Sequence, residues 1–280
     1  MNLIQAVILG LVQGVAEFLP ISSSGHLKIA ERLMGLADIG TNYMFFDVML
    51  HFATLVAVIL AYRKEIAELL TELLKMCRLI PSGGKREKNV SARRLIVFLI
   101  ISLLPLFAIL PVKDWLEALG SGLHATVFIG VTLILSGMLL YFSDRLPAGK
   151  KDEKSMTALD AVAIGAAQAL AVIPGLSRSG ATITMGTVRG LNRPLAVKFS
   201  FLMSIPTVLA ATMLEVIDAA KVGLGGLSIW VCLPGMLVAG ISGYFAITFL
   251  KRMAERGRFG GFAFWCWGAG LFALIISLIS

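Results

Sequence analysis

The chain is 280 residues long, 58% hydrophobic and only 15% charged, with a mean hydropathy of +0.87. No ordinary soluble domain of this length has that composition, so lipid must be its solvent. The formal charge of +8 does not point to nucleic acid, because the basic residues cluster in connections between apolar runs, as retention on the cytoplasmic side of a membrane would place them.

The N-terminus, Met1-Asn2-Leu3-Ile4, has no basic leader, and its apolar run leads into Gln13 and Glu17 rather than a cleavage site; it is expected to belong to the mature protein. The first apolar region, Leu3–Gly35, is interrupted near its middle by Pro20 and a Ser22-Ser23-Ser24-Gly25-His26 run. Its first arm is 17 residues, about 25 Å if helical, and proline cannot continue it. A helical hairpin that enters the membrane and leaves on the same side is the expectation, and non-helical backbone at that depth must be buried in protein or line a wet cavity.

Full spans follow at about Tyr43–Tyr62, Leu95–Val112 and His124–Phe142, each close to the length that a hydrocarbon core of roughly 30 Å requires. A second interrupted region, Ala158–Gly190, repeats the hairpin pattern with Pro174-Gly175-Leu176-Ser177-Arg178-Ser179-Gly180-Ala181-Thr182 at its centre, and three more spans close the chain at Phe199–Val216, Ser228–Leu250 and Phe262–Ile279. The basic connections, Arg63 to Arg94 with nine Lys/Arg, Asp144–Lys154 with four and Lys251–Arg258 with four, alternate with connections near Lys113 and Lys221 that hold one each. Keeping the basic ones in the cytoplasm sends both termini outward. Cys77, Cys232 and Cys266 are scattered, without metal or disulfide spacing, and read as packing residues.

At a constant offset of 155 the two hairpins share eight identities in 27 ungapped positions, three of them (Ser22 with Ser177, Ser24 with Ser179, Gly25 with Gly180) within one polar turn. A duplication explains this. Each copy holds a hairpin and three spans, an odd number, so the second copy must sit upside down, the inverted repeat of many transporter folds. The expected organisation is repeat 1 over 1–143, a cytoplasmic linker over 144–156 and repeat 2 over 157–280: an all-α polytopic membrane protein with six transmembrane helices and two re-entrant hairpins.

Gln13 and Glu17 are four residues apart and share a helix face. A Glu, a His and an Arg at membrane depth must pair or line a cavity; Glu17 and Arg178 could be a structural ion pair, and His26 an interfacial histidine. Together the set points to phosphate. Gly/Ser turns that open helices offer backbone N–H groups to anions, with Ser22, Ser24, Gly25 and Gly180 as binding candidates, and Arg178 supplies a planar fork. Ser23 beside His26 could be a nucleophile with its base, or His26 could itself be phosphorylated or protonate the leaving group. Glu17, with Gln13, could hold Mg²⁺ or Ca²⁺ against a diphosphate, orient His26, or act as the base. Asp47 and His51 could support Glu17 or His26 from the first full span, or only pair with each other.

These two motifs resemble the signatures of the undecaprenyl-diphosphate phosphatases of the bacitracin-resistance type, and the resemblance runs essentially end to end. It implies hydrolysis of undecaprenyl diphosphate to undecaprenyl phosphate and inorganic phosphate with a divalent cation, recycling the lipid carrier of cell-wall synthesis. By resemblance Glu17, Ser23, His26 and Arg178 form the catalytic core, and Ser177, Ser179 and Thr182 bind diphosphate. Where the family accepts Gln or Glu this chain has Gln13, which leaves one carboxylate there. The expected setting is the bacterial inner membrane with the site facing outward; the expected partners are the lipid substrate and bulk membrane lipid, with a homodimer allowed. A lipid flippase or anion transporter is the competing class, since inverted repeats suit alternating access; it has little use for a nucleophile beside a base.

Overall fold

The computed structural model of the protein describes residues 1–36, 44–79, 89–122, 124–222, 229–257 and 259–279, and among them every regular element is helical. The helices are α1 (Leu3–Phe18), α2 (Ser23–Leu33), α3 (Met44–Ala61), α4 (Arg63–Met76), α5 (Val90–Ile109), α6 (Lys113–Ala118), α7 (Ala125–Arg145), α8 (Ala158–Leu170), α9 (Arg178–Val188), α10 (Arg193–Val222), α11 (Ile229–Arg256) and α12 (Gly260–Ile279). Five of the described helices, α5 with its one-turn extension to Val112, α7, α10, α11 and α12, are long and apolar enough to cross a membrane; α3 and α4, bent by 83° at Tyr62, make a sixth if taken as one span. Large apolar side chains such as Phe52, Ile100, Phe107, Leu237 and Phe245 face outward, which in lipid carries no penalty. The chain is a multi-pass membrane protein.

Some sequence expectations need correction. Arg63–Met76 is a helix rather than a simple basic connection: Ile66, Leu69, Leu70, Leu73 and Leu74 recur at helical spacing, an amphipathic pattern. Helices α10 and α11 run beyond the apolar windows, to Arg193 and Arg256, because an intact backbone ladder carries a helix past its last apolar residue. The first hairpin arms stop at Phe18 and Leu170, short of Pro20 and Pro174: Leu19, directly before Pro20, is extended with ψ 144°, as a residue before proline prefers, and Ala171 already leaves the helix at ψ 8°, three residues before Pro174. Cys77 is exposed, so it is no packing residue. Tyr43, Ser228, Arg258 and the 80–88 part of the first basic connection lie outside the described residues.

The two short apolar helices, α1 and α8, each lead through a turn into an 11-residue helix, α2 or α9. Both of these open on a serine cap: Ser22 Oγ accepts from Gly25 N–H at 3.3 Å, and Ser177 Oγ from Gly180 N–H at 3.0 Å. Both close on a glycine with positive φ, Gly35 (67°) and Gly190 (82°), with Leu36 N–H bonding Glu31 O at 2.8 Å and Leu191 N–H bonding Gly186 O at 3.0 Å, the left-handed cap that glycine adopts without a Cβ penalty.

Packing carries the same correspondence. Helix α1 packs on α11 and α8 on α5, while α3 meets α10 and α7 meets α12. The first two contacts are backbone against backbone: a Cβ at Gly10 would overlap the Gly235 carbonyl oxygen, and one at Gly165 would overlap that of Ser102. The hairpin mouths are tied to opposite ends of α7. Arg32 donates to Thr126 Oγ1 at 2.8 Å, whereas beside the second mouth Arg193 donates to Asp144 O at 3.3 Å, 18 residues along the same helix, about 27 Å away. The second mouth is also closed by buried Asp160, which accepts from Lys151 Nζ, Arg189 Nε and Thr157 Oγ1, all at 2.9 Å. Between the hairpins and the spans lies a core of Phe18, Tyr62, Phe199, Phe201 and Met203, in which the Phe18 ring meets Phe201 edge-on at 5.7 Å.

Candidate active site

Ser23 and Arg178 are the first helical residues of α2 and α9. A helix start leaves its first N–H groups without intrahelical acceptors and carries a partial positive charge, so two anion-attracting ends lie beside the two most reactive side chains of the turns. The turns are stitched to each other. Gly175 N–H donates to Ser24 Oγ at 3.3 Å, and Ser179 Oγ donates to Leu19 O at 3.2 Å.

Glu17 stands at the centre, its side chain only 5% exposed and its backbone fixed by the burial of Phe18. Arg178 donates to Oε1 at 2.6 Å, and Ser23 Oγ donates to Oε2 at 2.6 Å. Gln13 Nε2 also reaches Oε2, at 3.2 Å, and lies 3.2 Å from His51 Nδ1, so His51 on α3 supports Glu17 through Gln13. Asp47 sits one turn earlier on α3. Arg178 keeps 30% of its side-chain exposure and so can turn toward a ligand. Beside it a cavity of about 10 Å³ is lined by Glu17, Phe18, Arg178, Ser179, Ser200, Phe201 and Ser204, room for roughly one water.

The expected pairing of Ser23 with His26 is not what the structure holds: the serine's partner is Glu17. His26 Nδ1 lies 2.8 Å from Ser22 O, and its Nε2 accepts from the Trp265 indole N–H at 2.9 Å. The Nδ1–H tautomer satisfies both bonds. Ser22 has a φ of 72°, a region where a non-glycine residue stores of order 1–3 kcal/mol, and this strain sits immediately before Ser23. Among the other binding candidates, the Gly25 and Gly180 N–H groups are taken by the serine caps, and Thr182 Oγ1 is buried 2.6 Å from Ser200 Oγ. They shape the turns rather than reach outward.

Several contributors escaped the sequence reading. On α7, Thr132 Oγ1 donates to Pro174 O at 2.9 Å and Ser136 Oγ accepts from Ser177 N–H at 3.0 Å. On α12, Trp265 reaches His26 and Cys266 Sγ donates to Pro20 O at 3.7 Å, so that thiol does more than pack. The only sequence signals were hydroxyls at Thr132 and Ser136, four residues apart within an apolar span, and the Trp265-Cys266-Trp267 run.

Residues 6–272 match the family model described as "Bacitracin resistance protein BacA". The undecaprenyl-diphosphatase of Alkaliphilus metalliredigens is 37% identical over 280 residues, covering all of both chains. Those of Carboxydothermus hydrogenoformans and Treponema denticola are 36% and 39% identical, covering 99% and 97% of this chain and 98% and 96% of their own.

Proposed function

The chain belongs to the BacA family of bacitracin resistance proteins, and we propose that it hydrolyses undecaprenyl diphosphate by attack of Ser23 on the terminal phosphorus with Glu17 as base. It is an integral membrane phosphatase that recycles the lipid carrier. The observation that carries the mechanism is the 2.6 Å bond from Ser23 Oγ to Glu17 Oε2, a nucleophile already within reach of a carboxylate that can take its proton. A lipid flippase would use Arg178 and the turn amides but would gain nothing from a serine on a carboxylate.

The incoming diphosphate competes with Glu17 for Arg178. Once the guanidinium turns to the phosphoryl oxygens, Glu17 is free to accept the Ser23 proton as the new Ser23 O–P bond forms. The bridging P–O bond breaks and undecaprenyl phosphate leaves with that electron pair. That leaving phosphate takes the proton from Glu17; water then attacks the phosphoserine phosphorus and gives a proton to Glu17, the Ser23 O–P bond breaks, and Glu17 returns the proton to the Ser23 oxygen as inorganic phosphate is released. Arg178 and the first N–H groups of α2 and α9 balance the charge on the equatorial oxygens throughout.

A divalent cation suits this donor set only when it arrives with substrate. Among the described residues no three His, Cys, Asp or Glu side chains cluster to hold a metal, but Gln13 Oε1 is buried without a partner beside Glu17. These two residues would hold Mg²⁺ or Ca²⁺, with diphosphate oxygens completing the shell. The ion would supply charge neutralisation on the diphosphate.

We read the two halves, 1–143 and 157–280, as inverted copies with six spans and two re-entrant hairpins; the ties to opposite ends of α7 and the matched close contacts of Gly10 and Gly165 support this. With the basic connections inside, the first hairpin opens to the exterior of the bacterial inner membrane. The test is phosphate release from farnesyl diphosphate by purified protein in detergent. Chelation with EDTA should lower it about a hundredfold or more, since a catalytic ion contributes several kcal/mol, and Mg²⁺ or Ca²⁺ should restore it. Activity indifferent to EDTA would remove the cation; intact carrier movement without phosphate release would remove the phosphatase mechanism.

A further inference from the structure

The two turns are held by their outer spans in matched but unequal ways. Pro20 and Gly175 are equivalent positions at the offset of 155, and each gives its carbonyl to a third span of the other half: Pro20 O to Cys266 on α12 at 3.7 Å, Gly175 O to Ser136 on α7 at 3.4 Å. The second turn is further pinned by Thr132 Oγ1 to Pro174 O at 2.9 Å and by Ser177 N–H to Ser136 Oγ at 3.0 Å. Short hydroxyl side chains buried in α7 make those bonds. The first turn has instead one long side chain, Trp265, whose indole N–H bonds His26 Nε2 and whose ring lies 6.2 Å from the imidazole at an interplanar angle of 13°. Trp265 is 60% exposed, so little protein besides His26 holds its indole, and the side chain has room to turn away.

We infer that Trp265 is a positioning residue that caps His26 Nε2 in the resting site, and that the diphosphate head group displaces it on arriving between α2 and α12. This deepens the phosphatase reading and rests on it. His26 Nδ1 is committed to Ser22 O, so Nε2 is its one nitrogen that can take up a proton and donate it to a phosphoryl oxygen, and in the resting protein the indole N–H occupies that lone pair. The held turn and the capped turn thus divide the work: α7 fixes the half that carries Arg178, and α12 releases the half that carries Ser23 and His26.

The test begins without substrate, which separates its failure from failure of the phosphatase reading. The chain has three histidines, so modification by diethyl pyrocarbonate can be followed at each by peptide mapping, with His124 as the reference. Trp265→Phe keeps a ring and removes the N–H. It should raise the modification rate at His26 about two- to tenfold, the worth of one hydrogen bond, and lower KM for farnesyl diphosphate by a similar factor. An unchanged His26 rate, or a KM that does not fall, overturns the cap. A wild-type measurement covers the case in which that variant does not fold. The chain has four tryptophans, so 5-fluorotryptophan labelling gives four ¹⁹F lines, and Phe substitutions at Trp115, Trp230 and Trp267 assign the Trp265 line by elimination. That line should shift when farnesyl methylenediphosphonate is added; a stationary line overturns displacement.

Discussion

Arg178→Ala should lower kcat for phosphate release by about 10³-fold or more, the loss seen when a fixed cation is taken from a phosphoryl-transfer site. Arg178→Lys should recover only part of it, because an ammonium cannot reproduce the planar fork that grips two phosphoryl oxygens. Removing the guanidinium also leaves Glu17, 5% exposed, without its cation, and an unpaired buried charge is destabilising in itself. The double variant Arg178→Ala with Glu17→Gln separates the two effects. It should regain thermal stability toward that of the wild type while remaining inactive. A kcat for Arg178→Ala, measured on its folded fraction, equal to that of the wild type would mean that Arg178 serves the fold and not the phosphate; activity in the double variant would contradict Glu17 as the base.

Gly165→Ala should cost far more than its size suggests. The added Cβ would overlap the Ser102 carbonyl oxygen, and Gly10→Ala would do the same at Gly235. Neither obstacle is a side chain that can rotate away, so α8 must separate from α5, or α1 from α11, at a cost of about 3 kcal/mol. Both variants should lose most of their folded, monodisperse yield in detergent. Gly268→Ala is the control: nothing lies within 4 Å of its Cβ position, and helix propensity alone should make that change neutral or stabilising by up to about 1 kcal/mol. Equal yields from all three would mean that the helix crossings are not close-packed. Since Gly10 and Gly165 are equivalent positions, similar losses at both would also support the inverted-copy reading.

The helices and the reacting turns were legible in the sequence for a plain reason. In lipid every backbone group must be satisfied within its own segment, so apolar length maps onto helix, and a Pro/Gly/Ser break maps onto a turn. Proline does not break the full spans, as the apolar runs drawn through it imply. Pro105, Pro206 and Pro234 lie inside α5, α10 and α11, because packing against neighbouring helices tolerates a missing bond that an isolated helix would not. Gln13, Glu17, Ser23 and Arg178 could be gathered from motif and spacing, but their wiring could not. Ser23 and His26, three residues apart, suggested a pair, whereas the extended backbone at Leu19 and the positive φ at Ser22 turn the serine back toward Glu17 and the imidazole out to α12. Long-range partners such as Trp265 and Thr132 gave almost no signal, since a tryptophan or threonine in an apolar span reads as packing.

If Ser23 is the nucleophile and Glu17 its base, turnover must pass through a phosphoserine. Rapid quenching of the purified enzyme with farnesyl diphosphate labelled at the terminal phosphate, followed by peptide mapping, tests it most directly. Acid-stable label on Ser23, absent in Ser23→Ala and slow to form in Glu17→Gln, is the predicted result; acid-labile label on His26, or turnover without any phosphoenzyme, would contradict it.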